Sequence, residues 1–88
     1  MRLIGKHKIQ PLLRGCLDTK IWVLALADEI KNTVWISEDD LKAFYPSAFR
    51  DAEGVFIFRV EPNSCAVKVK FCFINKIAFI SQVIVSGQ

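Results

Sequence analysis

Residues 65–73 alternate between two kinds of side chain, and this alternation limits the fold more than any other feature of the sequence. Every second position is apolar: Cys65, Val67, Val69, Phe71 and Phe73. Lys68 and Lys70 lie among the residues between them. Successive side chains of a β-strand point to opposite faces. The pattern therefore predicts a strand with one core face and one face that carries two lysines.

Two further strands are predicted on either side of it in the sequence. Residues 55–60 are apolar except for Arg59, and Pro62 in the following turn supplies the fixed φ that turns favour. Residues 77–85 are nearly all apolar and follow Asn75-Lys76, which predicts a tight hairpin turn. Strands linked in this way form an antiparallel meander. A strand that is apolar on both faces is expected to be covered on both.

The first half of the chain has helical spacing instead. Pro11 is tolerated only in the first turn of a helix, so a first helix is predicted to begin near Lys8, or a longer one to kink there. Its apolar face follows the spacing i, i+3, i+4, i+7 and i+8, with the residues Ile9, Leu12, Leu13, Cys16 and Leu17.

Two more helices follow. The second is predicted to begin at the cap Asp18-Thr19 and to end near Asn32, and its apolar face contains Trp22, Ala25, Leu26 and Ile30. Ser37 caps a short third helix that ends at Pro46, and residues 47–54 are a polar loop. With an opening strand at residues 1–4, this order predicts one α+β domain over residues 1–88. Two to three helices would pack on an antiparallel β-meander.

Composition excludes several classes of protein. A chain of 88 residues, 52% of them hydrophobic, has room for one core. The three cysteines lack CxxC spacing and His7 is the single histidine, so neither a disulfide framework nor a metal or cofactor site is predicted. Lysines interrupt the most apolar stretch, which argues against a membrane span, and no secretion signal is visible, so the expected location is cytoplasmic. The net charge of +3 permits binding to RNA or to an acidic peptide.

Several segments, in a fixed order along the chain, carry a resemblance to a known family. The chain opens with Met1-Arg2-Leu3-Ile4 and continues with Leu24-Ala25-Leu26 followed by Ile30. The most specific segment is Asp40-Leu41-Lys42-Ala43-Phe44-Tyr45-Pro46-Ser47, and the strand at residues 55–60 and a turn with Asn63 come after it. In this order the segments resemble the HigB branch of the RelE-like toxins of bacterial toxin–antitoxin pairs.

The resemblance implies a RelE-like fold and a ribosome-dependent mRNA endonuclease that a cognate antitoxin holds inactive. The implied partners are that antitoxin, the ribosome and mRNA. In such enzymes the ribose 2′-OH attacks the adjacent phosphate, and basic side chains stabilise the developing charge. The candidate RNA-binding residues are Lys42, from the best-matching segment, Lys68 and Lys70, and Arg59 as their neighbour across the hairpin.

The sequence differs from the family where the chemistry is expected. The family's N-x-x-R corresponds to Asn63-Ser64-Cys65-Ala66, its last-strand arginine to Ser81, and its T-H-x-x-Y to Val85-Ser86-Gly87-Gln88. The catalytic residues therefore stay unassigned, and we expect weak or no cleavage of mRNA, with residual affinity for RNA or the ribosome. The alternative is a non-catalytic module that binds protein or RNA.

Other interpretations of the same residues stay open. Lysines that alternate along a strand commonly form a solvated sheet face, and an exposed helix lysine explains Lys42 equally well. Trp22 and Trp35 are either a stacking platform for RNA or part of the core, and Tyr45 is either a proton donor or a core side chain. Because the last strand is apolar on both faces, we expect a partner or a second copy of the chain, as in a homo-oligomer, to cover it.

Overall fold

One five-stranded sheet organises the parts of the chain that the structure describes, which are residues 1–14, 17–60 and 65–84 of a computed structural model. Its strands are β1 (Arg2–Ile4), β2 (Phe49–Arg50), β3 (Phe56–Val60), β4 (Cys65–Cys72) and β5 (Ile77–Ile84). Their order across the sheet is β1-β5-β4-β3-β2. All neighbours are antiparallel except β1 and β5, which are parallel. The predicted α+β class with an antiparallel meander is confirmed.

All the described helices pack on one face of this sheet. A 3₁₀ helix (Lys6–Ile9) continues into α1 (Gln10–Leu13), followed by α2 (Leu17–Asn32) and α3 (Glu38–Phe44). The buried face of α2 has helical spacing and consists of Thr19, Val23, Leu26, Ala27 and Ile30. A small cavity of about 10 Å³ lies between this face and the sheet residues Val67, Val69 and Ile80.

The cap of α3 is the one that the sequence predicts. The Ser37 hydroxyl accepts a hydrogen bond from the Asp40 N–H at 3.4 Å, and the Asp40 carboxylate accepts one from the Ile36 N–H at 3.1 Å. Three acidic residues occupy the first turn, where the positive end of the helix dipole favours negative charge. The helix ends before Pro46 as predicted.

The first helix is shorter than predicted. α1 ends at Leu13, and Leu17 belongs to α2, where it is 67% exposed. The spacing rule holds only within one continuous helix. Because Leu17 begins a separate helix, its position eight residues after Ile9 no longer directs its side chain to the core. Ala25, expected on the apolar face of α2, is also exposed. The predicted contribution of Cys16 lies outside the described residues.

The loops also differ from the prediction. Residues 47–54 contain β2, whose two residues pair with Phe56 and Ile57. Phe73 lies in the hairpin turn rather than in β4, and that turn is closed by a hydrogen bond of 3.3 Å from the Lys76 N–H to the Phe73 carbonyl. The predicted turn at Pro62, the segment 63–64 and residues 85–88 lie outside the described part of the chain.

The last strand is covered on one face only. Ala78 and Ile80 of β5 are buried beneath the helices, whereas Phe79 and Ile84 on the other face are 40% and 42% exposed. Because the described helices all lie on the same side, they leave the other face of β5 uncovered, and the expectation that a partner or a second copy covers it stays a prediction. Within the described residues no helix has both the length and the apolar character needed to cross a membrane.

Hydrogen bonds join β1 to the end of α2. The α-ammonium group of Met1 donates to the carbonyl oxygens of Thr33 at 2.8 Å and Ile30 at 3.0 Å. A positive group is favourable there, because the carbonyls at the end of a helix carry partial negative charge.

Two glycines with positive φ allow a controlled test of how β1 connects to the 3₁₀ helix. Gly5 (φ 88°) lies against β5, so that a Cβ there would stand 3.0 Å from the Ile80 carbonyl oxygen, whereas Gly54 (φ 83°) has open space around it. We expect Gly54→Ala to destabilise the fold by about 1–2 kcal/mol, the cost of a left-handed alanine. Gly5→Ala should cost about 1–3 kcal/mol more, because the neighbouring backbone must move.

Urea denaturation of both variants measures this difference as a shift of the midpoint at unchanged slope. Equal shifts for the two variants would contradict the close contact of Gly5 with β5.

Candidate nucleic-acid interface

The sheet face that points away from the helices is called the open face here, and the strand registers define it. Leu3 pairs with the buried Ala78, so the residues on either side of Leu3 point to the opposite face. The same alternation through all five strands assigns these residues to the open face: Arg2, Ile4, Phe49, Ile57, Arg59, Ala66, Lys68, Lys70, Cys72, Ile77, Phe79, Gln82 and Ile84.

Three of the four candidate RNA-binding residues lie together on the open face. Lys68 and Lys70 are two positions apart on β4, and Arg59 is diagonal to Lys68 because Ile57 is the direct partner of Lys68. Arg2, which sequence reasoning did not select, joins them from β1. Its position depends on the parallel pairing of β1 with β5, for which the sequence offers no local signal.

Lys42 is separate from this group. It is exposed on α3, and its neighbour Leu41 is buried in the core between the helices and the sheet. The sheet therefore stands between Lys42 and the three strand cations. A ligand that contacts Arg59, Lys68 and Lys70 on the open face would reach Lys42 only by wrapping around the edge of the molecule.

Charges are distributed unequally between the two layers. The open face carries four cations, and the acid beside it is Asp51, whose carboxylate lies 3.8 Å from the Lys68 ammonium group. Most of the described acids lie instead on α2 and α3: Asp18, Asp28, Glu29, Glu38, Asp39 and Asp40. With four cations and one described acid beside them, the open face has a positive potential that attracts anions.

Two exposed aromatic rings accompany the cations. Phe79 pairs directly with Lys70 and with Ile4. Phe49 is 40% exposed, and the guanidinium group of Arg59 lies 5.8 Å from the centre of its ring. A phenylalanine in a strand usually belongs to the core. Only the strand register shows that both rings face away from it.

The tryptophans are part of the core instead. Trp35 is 1% exposed, and its ring centre lies 5.8 Å from that of Phe71 and 6.1 Å from that of Tyr45. Trp22 is half-buried and packs edge-on against Tyr45 at 6.4 Å. Neither indole reaches the open face, so a stacking platform made of tryptophans is wrong.

Tyr45 also lies on the helix side of the sheet. Its ring centre is 5.3 Å from that of the buried Phe58. Burial raises the pKa of Tyr45 above its ordinary value of 10.0, and the negative charge of Glu29 raises the pKa further. The phenol therefore stays protonated at neutral pH and faces away from the cations of the open face, which argues against Tyr45 as their proton donor.

Asp51 holds the loop before β3 and restrains Lys68. Its Oδ1 accepts hydrogen bonds from the Glu53 N–H at 2.8 Å and the Val55 N–H at 3.0 Å. The bond from Val55 is the largest cause that lowers the pKa of Asp51 below 3.8, and the ammonium group of Lys68 contributes as well. Lys68 thus has a local counter-ion, whereas Lys70 and Arg59 form no ion pair with a described residue.

The lowered pKa of Asp51 predicts a stability effect at acid pH. A carboxylate whose pKa is lower in the folded state stabilises the fold above its unfolded-state pKa, and this contribution is lost as pH falls through the folded-state pKa. We expect Asp51→Asn to lower the free energy of unfolding at neutral pH. The difference from the wild type should shrink below about pH 4 as Asp51 becomes protonated.

Denaturant titrations of both proteins at a series of pH values measure this. Glu53→Gln removes the same charge from an exposed neighbouring position and controls for net charge. A difference for Asp51→Asn that is undiminished at the lowest pH would show that the charge of Asp51 is not the cause.

Comparison with known proteins adds no family assignment: no protein-family model matches the sequence, and a search of curated proteins finds no significant match.

Proposed function

We propose that the open face binds single-stranded RNA, and that the chain is a toxin-like protein of the HigB type that binds RNA with little or no cleavage. The observation that carries the proposal is the clustering of Arg59, Lys68 and Lys70 on one sheet face next to the exposed ring of Phe79. The short segments that resemble the HigB branch also support a protein that binds RNA.

The mixture of side chains on this face favours a single strand over a duplex. Cations contact phosphates of any sequence and release counter-ions, while exposed aromatic rings stack on bases that are not already stacked in a helix. Bases in an RNA duplex are paired and stacked, so Phe79 and Phe49 could not reach their faces. A sheet face with rings and cations side by side therefore fits an extended strand.

Binding without turnover follows from the chemistry of the side chains. Lysine and arginine can stabilise the charge of a phosphate, but an exposed lysine or arginine keeps its proton at neutral pH and is a poor general base. Tyr45 packs against Phe58 on the other side of the sheet. Ser81, at the position that corresponds to the family's last-strand arginine, adds no charge.

A protein partner is the second candidate ligand of the open face. Ile4, Phe79 and Ile84 are exposed there, and apolar surface of this kind is typical of sites that another protein covers. An acidic segment, such as an antitoxin would provide, complements the cations. A second copy of the chain is a less favourable partner, because its own Arg2, Arg59 and lysines would face the same positive charges.

RNA affinity can be measured by fluorescence anisotropy with a labelled single-stranded RNA. Three to four phosphate contacts predict that log K falls with log salt at a slope of about −2 to −3. We expect Lys70→Ala and Arg59→Ala each to weaken binding about two- to fivefold, the worth of an exposed ion pair, and to reduce the slope by about 0.7. Lys42→Ala, on the helix layer, is the matched control and should have little effect.

Phe79→Leu completes this experiment, because it keeps an apolar side chain and removes the ring. Loss of one stacked base is expected to cost about 1–3 kcal/mol in binding free energy. No binding by the wild type, or equal losses for Lys42→Ala and Lys70→Ala, would contradict the proposed interface.

The absence of efficient cleavage is a separate prediction. Loss of one charge-stabilising donor at a reacting centre typically lowers the rate about 100- to 1000-fold. Induction of the gene in a bacterial host is therefore expected to cause no growth arrest and no cleavage of mRNA at ribosomal positions. Growth arrest with such cleavage, abolished by Lys68→Ala together with Lys70→Ala, would show that the chain is an active endonuclease.

A further inference from the structure

Lys8 brings a cation to the edge of β5 from outside the sheet. Its Nζ lies 3.4 Å from the carbonyl oxygen of Ser81, to which it donates a hydrogen bond. β1 pairs with β5 only from Ile77 to Phe79, so Ser81 lies on the part of this edge that β1 leaves free. The 3₁₀ helix that contains Lys8 contacts β5 there instead.

The strand is irregular at the same place. Lys68 pairs with Gln82 and Val69 pairs with Ile80, which leaves Ser81 as an extra residue of β5 without a partner on β4. A β-bulge of this kind increases the local twist and commonly lies next to functional sites. Gln82, the residue after Ser81, is the direct partner of Lys68, so Lys8 contacts β5 one residue away from the row that contains Lys68.

The backbone fixes the position of the turn that carries Lys8. Gly5 begins the 3₁₀ helix with a positive φ of 88°, and its Cα approaches Ile80 so closely that a Cβ would stand 3.0 Å from the Ile80 carbonyl oxygen. The Gly5 carbonyl accepts a hydrogen bond of 2.9 Å from the Lys8 N–H. The turn that carries Lys8 is therefore packed directly on β5, next to the bulge.

The charge of Lys8 is also less compensated than that of Lys68. The contact of Lys8 is with a neutral carbonyl oxygen, whereas Lys68 lies 3.8 Å from the carboxylate of Asp51. No described carboxylate forms an ion pair with Lys8. An ammonium group has three N–H donors, so the single bond to Ser81 orients Lys8 and leaves donors for an anion.

We propose that Lys8 is a further phosphate-binding residue at the rim of the open face, and that the RNA backbone crosses the strands from Lys8 at the edge of β5, past Lys68 on β4, to Arg59 on β3. This proposal rests on the proposed function. It assigns a direction to the bound strand, across the sheet rather than along it. It also leaves Phe79 and Ile4, on the other side of the bulge, to contact the bases.

Three variants test the role of Lys8 in the RNA titrations. Lys8→Gln keeps a polar side chain but removes the charge, and Lys8→Arg keeps the charge. Lys6→Ala is the matched control, because Lys6 is an exposed lysine of the same 3₁₀ helix. We expect Lys8→Gln to weaken binding about two- to fivefold and to reduce the salt slope by about 0.7. Lys8→Arg should bind like the wild type, and Lys6→Ala should change neither quantity.

The outcomes separate the two proposals. If Arg59→Ala and Lys70→Ala weaken binding while Lys8→Gln has no more effect than Lys6→Ala, the role of Lys8 is wrong and the RNA-binding face stands. If the wild type binds no RNA, the proposed function itself is overturned. Thermal denaturation of Lys8→Gln serves as the folding control, and Lys8→Arg provides a second folded variant for the comparison.

Discussion

The pairing of β5 with strands from both ends of the described chain is the constraint on which the other features depend. β4 is its hairpin partner, but β1 comes from the opposite end of the sequence and pairs with it in parallel. This pairing places Leu3 beside the buried Ala78 and brings the Met1 ammonium group to the end of α2. Because β1 has only three residues, it also leaves the edge at Ser81 free for Lys8.

The second constraint is that the helices cover only one face of the sheet. A small chain has enough helical surface for one layer, so the opposite face keeps apolar side chains such as Phe79 and Ile84 in contact with solvent. Four cations on that face repel one another and oppose folding slightly, while their potential favours an anionic ligand. Asp51 relieves part of this repulsion at Lys68 and leaves Lys70 and Arg59 unpaired among the described residues.

Features set by neighbours in the sequence were predictable. The alternation in β4, the cap at Ser37 and the end of α2 at Asn32 each depend on residues within about one turn or one strand of each other, and all three are confirmed. The prediction was wrong for Leu17 and for the two residues of β2. A restart of the helix changes which way a side chain points, and two residues are too few to show a period.

The sequence by itself determined that Lys68 and Lys70 share a strand face, since that follows from the backbone geometry of any extended strand. Only the tertiary structure decided which other residues join them, Arg2 and Phe79 through strand register, and that Lys8 reaches the edge of β5 through the turn at Gly5. It also decided that Lys42 lies across the sheet and that Asp51 pairs with Lys68. Contacts between residues far apart in the chain depend on the packing of all elements at once, which no local pattern encodes.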